Sequence, residues 1–177
     1  LPGNGPLGVK LCDEIKASTT LKADTAYTLA CQVYVRSGAT LTIEAGTTIK
    51  ALADDGTGRA PTLVIDQGAK IVAKGTKDKP ITFTSALPDY NLPKVGTWGG
   101  LIILGRAPIV GKSGQATRQI EGLTGREGTY GGSVADDDSG VLQYVRVWYG
   151  GRDIAPASDQ KENSGNEING ITFGGVG

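Results

Sequence analysis

The sequence predicts an all-β protein folded as a parallel β-helix, a single solenoid with an N-terminal cap and long loop excursions. Residues 39–51 and 62–73 carry the first indication, because they align without a gap at an offset of 22 residues. Each copy contains two short apolar segments joined by an acidic-x-Gly turn. Repeats of about 20 to 50 residues are typical of stacked solenoids. We therefore expect Leu41 and Leu63, which align, to stack in successive coils.

Composition is the second indication. The chain has 28 Gly among 177 residues, only two Phe and two Trp, and no Met. Its core must therefore be built from Val, Ile, Leu, Ala and Thr, and the β-branched members of this set favour strands. No window shows a convincing helical stripe, so little helix is expected.

The charge balance gives no indication of a nucleic-acid partner, although it does not exclude a local basic patch. Lys plus Arg equals Asp plus Glu at 18 each, giving zero formal net charge. Nucleic-acid-binding proteins usually carry a basic excess, so no nucleic-acid partner is expected. No apolar run is long enough for a membrane span. The chain contains no His, which excludes histidine-based nucleophilic catalysis.

Residues 1–31 are predicted to form an N-terminal lead-in and cap. Residues 1–10 are rich in Pro and Gly, and residues 11–16 fit a short cap of one helical turn that covers the first apolar rung. The chain begins without Met or a signal peptide, so we interpret it as a mature product whose targeting segment has been removed.

Residues 32–177 are predicted to form the β-helix domain. Segments 62–65, 70–73 and 81–84 are short apolar strands separated by turns, and three strands per circuit is the requirement of a parallel β-helix. Two polar excursions, near 111–139 and 152–166, interrupt the core pattern. The first is expected to lie against one face of the solenoid, anchored by its few apolar residues. These are Ile120, Leu123, Tyr130 and Val134.

Cys12 and Cys31 are the only cysteines. Without His they cannot form a conventional zinc site. We favour a disulfide that joins the N-terminal segment to the first coil, which implies an oxidising compartment. The alternative is two free buried thiols in a cytosolic protein.

Several phrases of the sequence are similar to a known group of domains. They are the segments 38–50, 79–85, 98–109, 121–122, 130–132, 137–146 and 166–175, which include Lys-Pro-Ile-Thr-Phe-Thr-Ser and Trp-Gly-Gly-Leu-Ile-Ile-Leu-Gly. Together they resemble right-handed parallel β-helix domains of secreted or surface-anchored proteins of the Bacteroidetes type, over residues 18 to the end. The resemblance implies a right-handed fold and an extracellular or cell-surface location, and it implies no particular chemistry. Domains of this group usually continue through further coils after the point where this chain ends.

A group of carboxylates could bind Ca²⁺, a hard cation that prefers oxygen ligands. The candidate ligands are Asp136, Asp137, Asp138 and Glu121. Their spacing matches neither an EF-hand nor the Gly-Gly-x-Gly-x-Asp repeats that bind calcium between turns. The alternative is that Asp138-Ser139-Gly140 simply forms a turn before a strand. Calcium is the one cofactor that the sequence suggests, and it is expected only if these carboxylates form a site.

A second group could bind glycans. Alternation along a strand would place Tyr144, Arg146 and Trp148 on one face, and such a face suits sugar stacking, with Arg152 beside it. The alternative, which we favour, is that Trp148 and Tyr149 cover the solenoid under the long loop. The predicted function is an extracellular structural or adhesive module rather than an enzyme. The competing hypothesis is a calcium-assisted polysaccharide-binding protein or polysaccharide lyase.

The C-terminal rung offers a further hypothesis. The pattern of residues 167–173 is a last strand with no polar closing segment, and such an exposed edge is normally covered. Either further chain or a second subunit is expected there, and the second case would give self-association.

Overall fold

The computed structural model describes residues 8–92, 95–110, 114–123, 125–155 and 168–177. These residues contain no α-helix, and two 3₁₀ helices occur at Asp89–Asn91 and Gly125–Gly128. The strands are β1 (Val9–Leu11), β2 (Thr19–Leu21), β3 (Tyr27–Leu29), β4 (Gln32–Val35), β5 (Thr40–Ile43), β6 (Thr48–Ala51), β7 (Thr62–Ile65), β8 (Lys70–Lys74), β9 (Ile81–Ser85), β10 (Gly100–Leu104), β11 (Arg118–Gln119), β12 (Thr129–Tyr130), β13 (Gly140–Gln143), β14 (Val145–Val147) and β15 (Ile171–Gly174).

Three parallel sheets form the solenoid. We call them sheet A (β1-β3-β6-β9-β14), sheet B (β4-β7-β10-β15) and sheet C (β2-β5-β8-β13). The chain visits sheet B, then C, then A in each circuit, as in β7, β8 and β9. The prediction of three strands per circuit is therefore confirmed. β11 and β12 form a separate antiparallel hairpin within the first excursion.

The predicted stacking of Leu41 on Leu63 is wrong. Leu41 lies in sheet C, between Thr19 of β2 and Ile71 of β8. Leu63 lies in sheet B, where its strand β7 is paired with β4 on one side and β10 on the other. The first copy of the repeat therefore forms β5 in sheet C and β6 in sheet A, whereas the second copy forms β7 in sheet B and β8 in sheet C. Both turns use glycine with positive φ, 92° at Gly46 and 78° at Gly68, so the same strand–turn–strand motif serves two different corners.

Side chains of alternate strand residues fill the interior. Val35, Ile65 and Ile103 form one column and are no more than 3% exposed. Phe83 and Trp98 stack with their ring centroids 6.3 Å apart. The small aliphatic side chains anticipated from composition therefore make most of the core, and these two aromatics are its largest fully buried members.

The outer face of sheet B is also apolar and is covered. Tyr34, Val64 and Ile102 point away from the solenoid interior and are buried in a second hydrophobic cluster. Ile120 and Leu123 of the first excursion belong to the same cluster. The prediction that this excursion lies against one face of the solenoid is confirmed. The second excursion falls outside the described residues except for 152–155.

The N-terminal segment continues the coil. β1 pairs with β3, and Ile15 bridges to Val35, so the helical turn predicted at residues 11–16 does not form. The predicted Cys12–Cys31 disulfide is present, with the two Cα atoms 5.0 Å apart. It joins the end of β1 to the chain between β3 and β4. The division of the chain at residue 31 stays a prediction.

Candidate functional site

The outer face of sheet A is the polar, open counterpart of sheet B. In β6 and β9, inward residues are buried, whereas the outward residues are exposed or half-buried. The registers place Arg146 beside Thr82, which lies beside Thr48. We call this face the sheet A surface. Its outward residues are Lys10, Thr28, Thr48, Lys50, Thr82, Thr84, Arg146 and Trp148.

Arg146 and Trp148 form the most distinctive pair on this surface. The Arg146 guanidinium lies 5.7 Å from the centre of the Trp148 ring, a cation–π distance. Trp148 is 48% exposed, whereas the other tryptophan, Trp98, is fully buried. The Trp98 indole N–H donates to the carbonyl of Trp148 at 2.8 Å, and the Trp148 N–H donates to Phe83 at 2.9 Å. The backbone under the exposed ring is therefore held on both sides.

Tyr144 does not share the strand face of Arg146 and Trp148. It lies at the corner between β13 and β14 with a φ of 47°, and it is 55% exposed. The expected alternation fails because it assumed one continuous strand through Tyr144. Of the two residues expected to cover the core, Tyr149 packs against it, whereas Trp148 points outward.

Arg152 is engaged elsewhere. Its guanidinium donates to the carbonyl of Ala53, in the loop after β6, and its backbone N–H donates to the carbonyl of Trp98 at 3.0 Å. The side chain is half-buried. These bonds give Arg152 a structural role, because they join the chain after β14 to the loop between β6 and β7.

The four candidate calcium ligands do not converge in the described part of the chain, where no group of three His, Cys, Asp or Glu is suited to hold a metal. Asp137 is buried and accepts from Ser139 at 2.9 Å and from Arg106 at 3.4 Å. Asp138 accepts from Lys70 at 2.6 Å, which lowers the pKa of its carboxyl. The calcium site stays a prediction.

Glu121, the fourth candidate ligand, is exposed and lines a cavity of about 760 Å³ beside the β11–β12 hairpin. Sequence reasoning missed this groove. The excursion that forms one part of the groove is polar and Gly-rich. Its few apolar residues predicted that it lies against the solenoid, but no pattern in it predicted a groove.

Sequence reasoning also missed a charged cluster centred on Arg36. Its guanidinium donates to Glu14, to Asp66 at 2.8 Å and to Glu127 at 3.0 Å, and it lies over the ring of Tyr34. The hydrogen bond from Arg36 lowers the pKa of Glu14 to about 2. Burial raises the pKa of Asp66. The cluster links two coils and the 3₁₀ helix Gly125–Gly128, so we assign it to structure rather than to ligand binding.

Comparison with known proteins identifies the family. The model of the Pectate-lyase like beta helix domain family matches residues 13–177. No curated protein and no solved structure matches the chain. No helix of the described residues is long and apolar enough to cross a membrane. The match covers nearly the whole chain and agrees with the stacked parallel sheets, so the chain belongs to the Pectate-lyase like beta helix domain family.

Proposed function

We propose that the chain is an extracellular structural and adhesive β-helix module that binds acidic glycans on the sheet A surface. The observation that carries this proposal is the exposed pair of Arg146 and Trp148 on a rigid, parallel sheet. A large aromatic ring that is half-exposed and held by its backbone supplies contact area at low entropic cost. The guanidinium beside it is suited to carboxylate or sulfate groups.

Charge on the surface favours an acidic ligand. Its outward strand positions carry Lys10, Lys50 and Arg146, and the described strands place no carboxylate among them. The remaining outward positions are mainly threonines, which offer hydroxyl donors and acceptors. A face with one sign of charge raises the local concentration of oppositely charged ligands.

The geometry of the sheet A surface fits glycan binding better than it fits glycan cleavage. A calcium-assisted lyase needs carboxylates that hold the cation close to the sugar, and the described outward positions of sheet A supply none. A lyase of this kind also needs a base, and Arg146, which could serve as one, is exposed and lies over Trp148. The lyase remains the competing proposal because Arg146 is placed where a sugar could contact it.

The disulfide supports an extracellular location. Structural disulfides persist in oxidising compartments, and Cys12 and Cys31 are bonded in the folded chain. The fold family is compatible with the same location.

Titration of the chain with polygalacturonate, and with its neutral methyl ester, tests the proposal. We expect binding to the acid form that weakens as salt rises. Trp148→Ala and Arg146→Ala should each reduce affinity about tenfold or more, whereas Arg126→Ala, an exposed arginine over sheet B, should not. Equal binding by Trp148→Ala would contradict the proposal. Release of unsaturated uronate, followed by its ultraviolet absorbance with and without Ca²⁺, would instead favour the lyase.

We also propose self-association at the C-terminal rung. Phe173 continues the column of Val35, Ile65 and Ile103, yet it is 57% exposed. At the other end of the solenoid, Val9 tops an inward column and is 52% exposed. A second copy stacked head to tail would cover both apolar ends, in a heterologous contact of the kind that builds filaments.

Sizing over a range of protein concentrations tests this second proposal. We expect the mass to rise with concentration and Phe173→Asp to abolish the rise. Thr48→Asp, which introduces the same charge at an exposed position of β6 in the middle of sheet A, is the matched control. A monomer at every concentration would contradict head-to-tail stacking.

A further inference from the structure

The β11–β12 hairpin has one edge that no strand of the described residues pairs with. β11 pairs only with β12 in the described part of the chain. The backbone N–H of Ile120 donates to the carbonyl of Gly128 at 2.9 Å. Alternate residues of an antiparallel ladder direct their backbone groups to opposite edges. Arg118 and Ile120 therefore face β12, whereas Thr117 and Gln119 direct theirs away from it.

The groove of about 760 Å³ runs beside this hairpin. Its lining contains the seven consecutive residues 115–121, Tyr130 of β12, and Ile168, Asn169 and Thr172 from the chain around β15. The Thr172 hydroxyl is buried and has no hydrogen-bond partner. The groove thus follows a stretch of chain whose outward backbone groups, those of Thr117 and Gln119, have no strand partner among the described residues. Its volume lies within the range of ligand sites.

Two charged side chains of the groove have no ion-pair partner among the described residues. Arg118 and Glu121 are exposed and line it, and neither forms an ion pair among the described residues. A ligand with an acidic group near Arg118 would therefore find a complementary charge.

We propose that this groove binds an extended polypeptide segment, which adds to the free edge of β11 as a third strand. A polypeptide main chain offers N–H and C=O groups with the same two-residue period as the edge of β11, and strand addition is a common mode of peptide recognition. The hydroxyl groups of an oligosaccharide do not have that period. The site lies over sheet B, apart from the glycan surface of sheet A, so either proposal can fail without the other.

Selection of peptides tests the proposal directly. A phage-displayed library of random heptapeptides is panned on the full chain, and the affinity of an enriched peptide is measured by fluorescence polarisation. Peptides with an acidic residue should be enriched, and Arg118→Glu should shift the preference to basic residues. N-methylation of the peptide at successive positions should weaken binding about tenfold at every second position and little at the others.

Two substitutions at one position separate backbone from side-chain recognition. Gln119→Pro removes the outward N–H, whereas Gln119→Ala keeps it, and both remove the side-chain hydrogen bond to Thr129. We expect Gln119→Pro to lose peptide binding and Gln119→Ala to keep it. The proposal would be overturned if no peptide is enriched, or if N-methylation has the same effect at every position on the unmutated chain. It would also be overturned if neutral oligosaccharides displace the peptide.

Discussion

Sheets A and B belong to the same coil but present opposite outer faces. β6 in sheet A alternates exposed and buried residues, whereas every residue of β7 and β10 in sheet B is buried. Alternation marks a strand with one solvated face, and a continuous apolar run marks a strand covered on both faces. The coil therefore leaves the outward residues of sheet A exposed or half-buried. It uses sheet B to anchor an excursion, and that excursion forms part of the groove.

The largest difference between the two faces should be in stability. Ile102 and Thr82 both point outward, from sheet B and sheet A respectively, but only Ile102 is fully buried. We expect Ile102→Ala to lower the free energy of unfolding by about 4 kcal/mol, because it opens a cavity under the excursion. Thr82→Ala should change it by less than about 0.5 kcal/mol. Urea denaturation measures both, and similar values would contradict the difference between the faces.

A smaller effect is expected at the cluster that fastens the excursion to sheet B. Arg36→Ala should lower the free energy of unfolding by about 3 kcal/mol, because it leaves the buried carboxylate of Asp66 without its cation. Arg118→Ala is the control, since Arg118 is exposed and forms no ion pair among the described residues. Hydrogen exchange should show faster exchange around Glu127 in Arg36→Ala than in the unmutated chain. If both variants are equally stable, Arg36 does not hold the excursion.

The smallest effect should appear as a pH dependence at the same cluster. The folded pKa of Glu14 is lowered to about 2 from an ordinary value of 4.5. A lowered carboxyl pKa contributes stability above the unfolded value, and that contribution is lost as pH falls from about 4.5 to about 2. Glu14→Gln should therefore be less stable than the unmutated chain at neutral pH, and the gap should close over this window.

The stability contributed by Asp66 depends on pH in the opposite direction to that of Glu14. Its pKa is raised by burial, so its contribution is present at low pH and is lost as pH rises through the folded value. A Glu14→Gln difference that stays constant during acid titration would show that Arg36 does not pair with Glu14 in solution.

The sequence was sufficient to predict the class of fold, the circuit of three strands and the covering excursion. Periodicity and composition report these features directly, because they depend on which residues are apolar. It was not sufficient for the register: the repeat at 40–51 and 62–73 describes a type of corner, and the same corner occurs at two places in the circuit. Leu41 therefore stacks on Ile71, 30 residues later, and not on Leu63.

The site was predictable in part. Arg146 and Trp148 share a face because two-residue alternation holds from one to the other. Tyr144 does not, because its positive φ turns the chain at a residue type that rarely adopts this conformation. The Arg36 cluster and the hairpin groove depend on contacts between distant segments, and no local pattern encodes them.

Tryptophan fluorescence gives the most direct test of whether the open face of sheet A is the ligand surface. Trp148 is exposed and Trp98 is buried, so acrylamide should quench mainly the emission of Trp148. Polygalacturonate should protect this emission from quenching, and the neutral methyl ester should not. Quenching that is unchanged by the acidic polymer, at concentrations where the chain binds it, would place the ligand elsewhere and contradict the account.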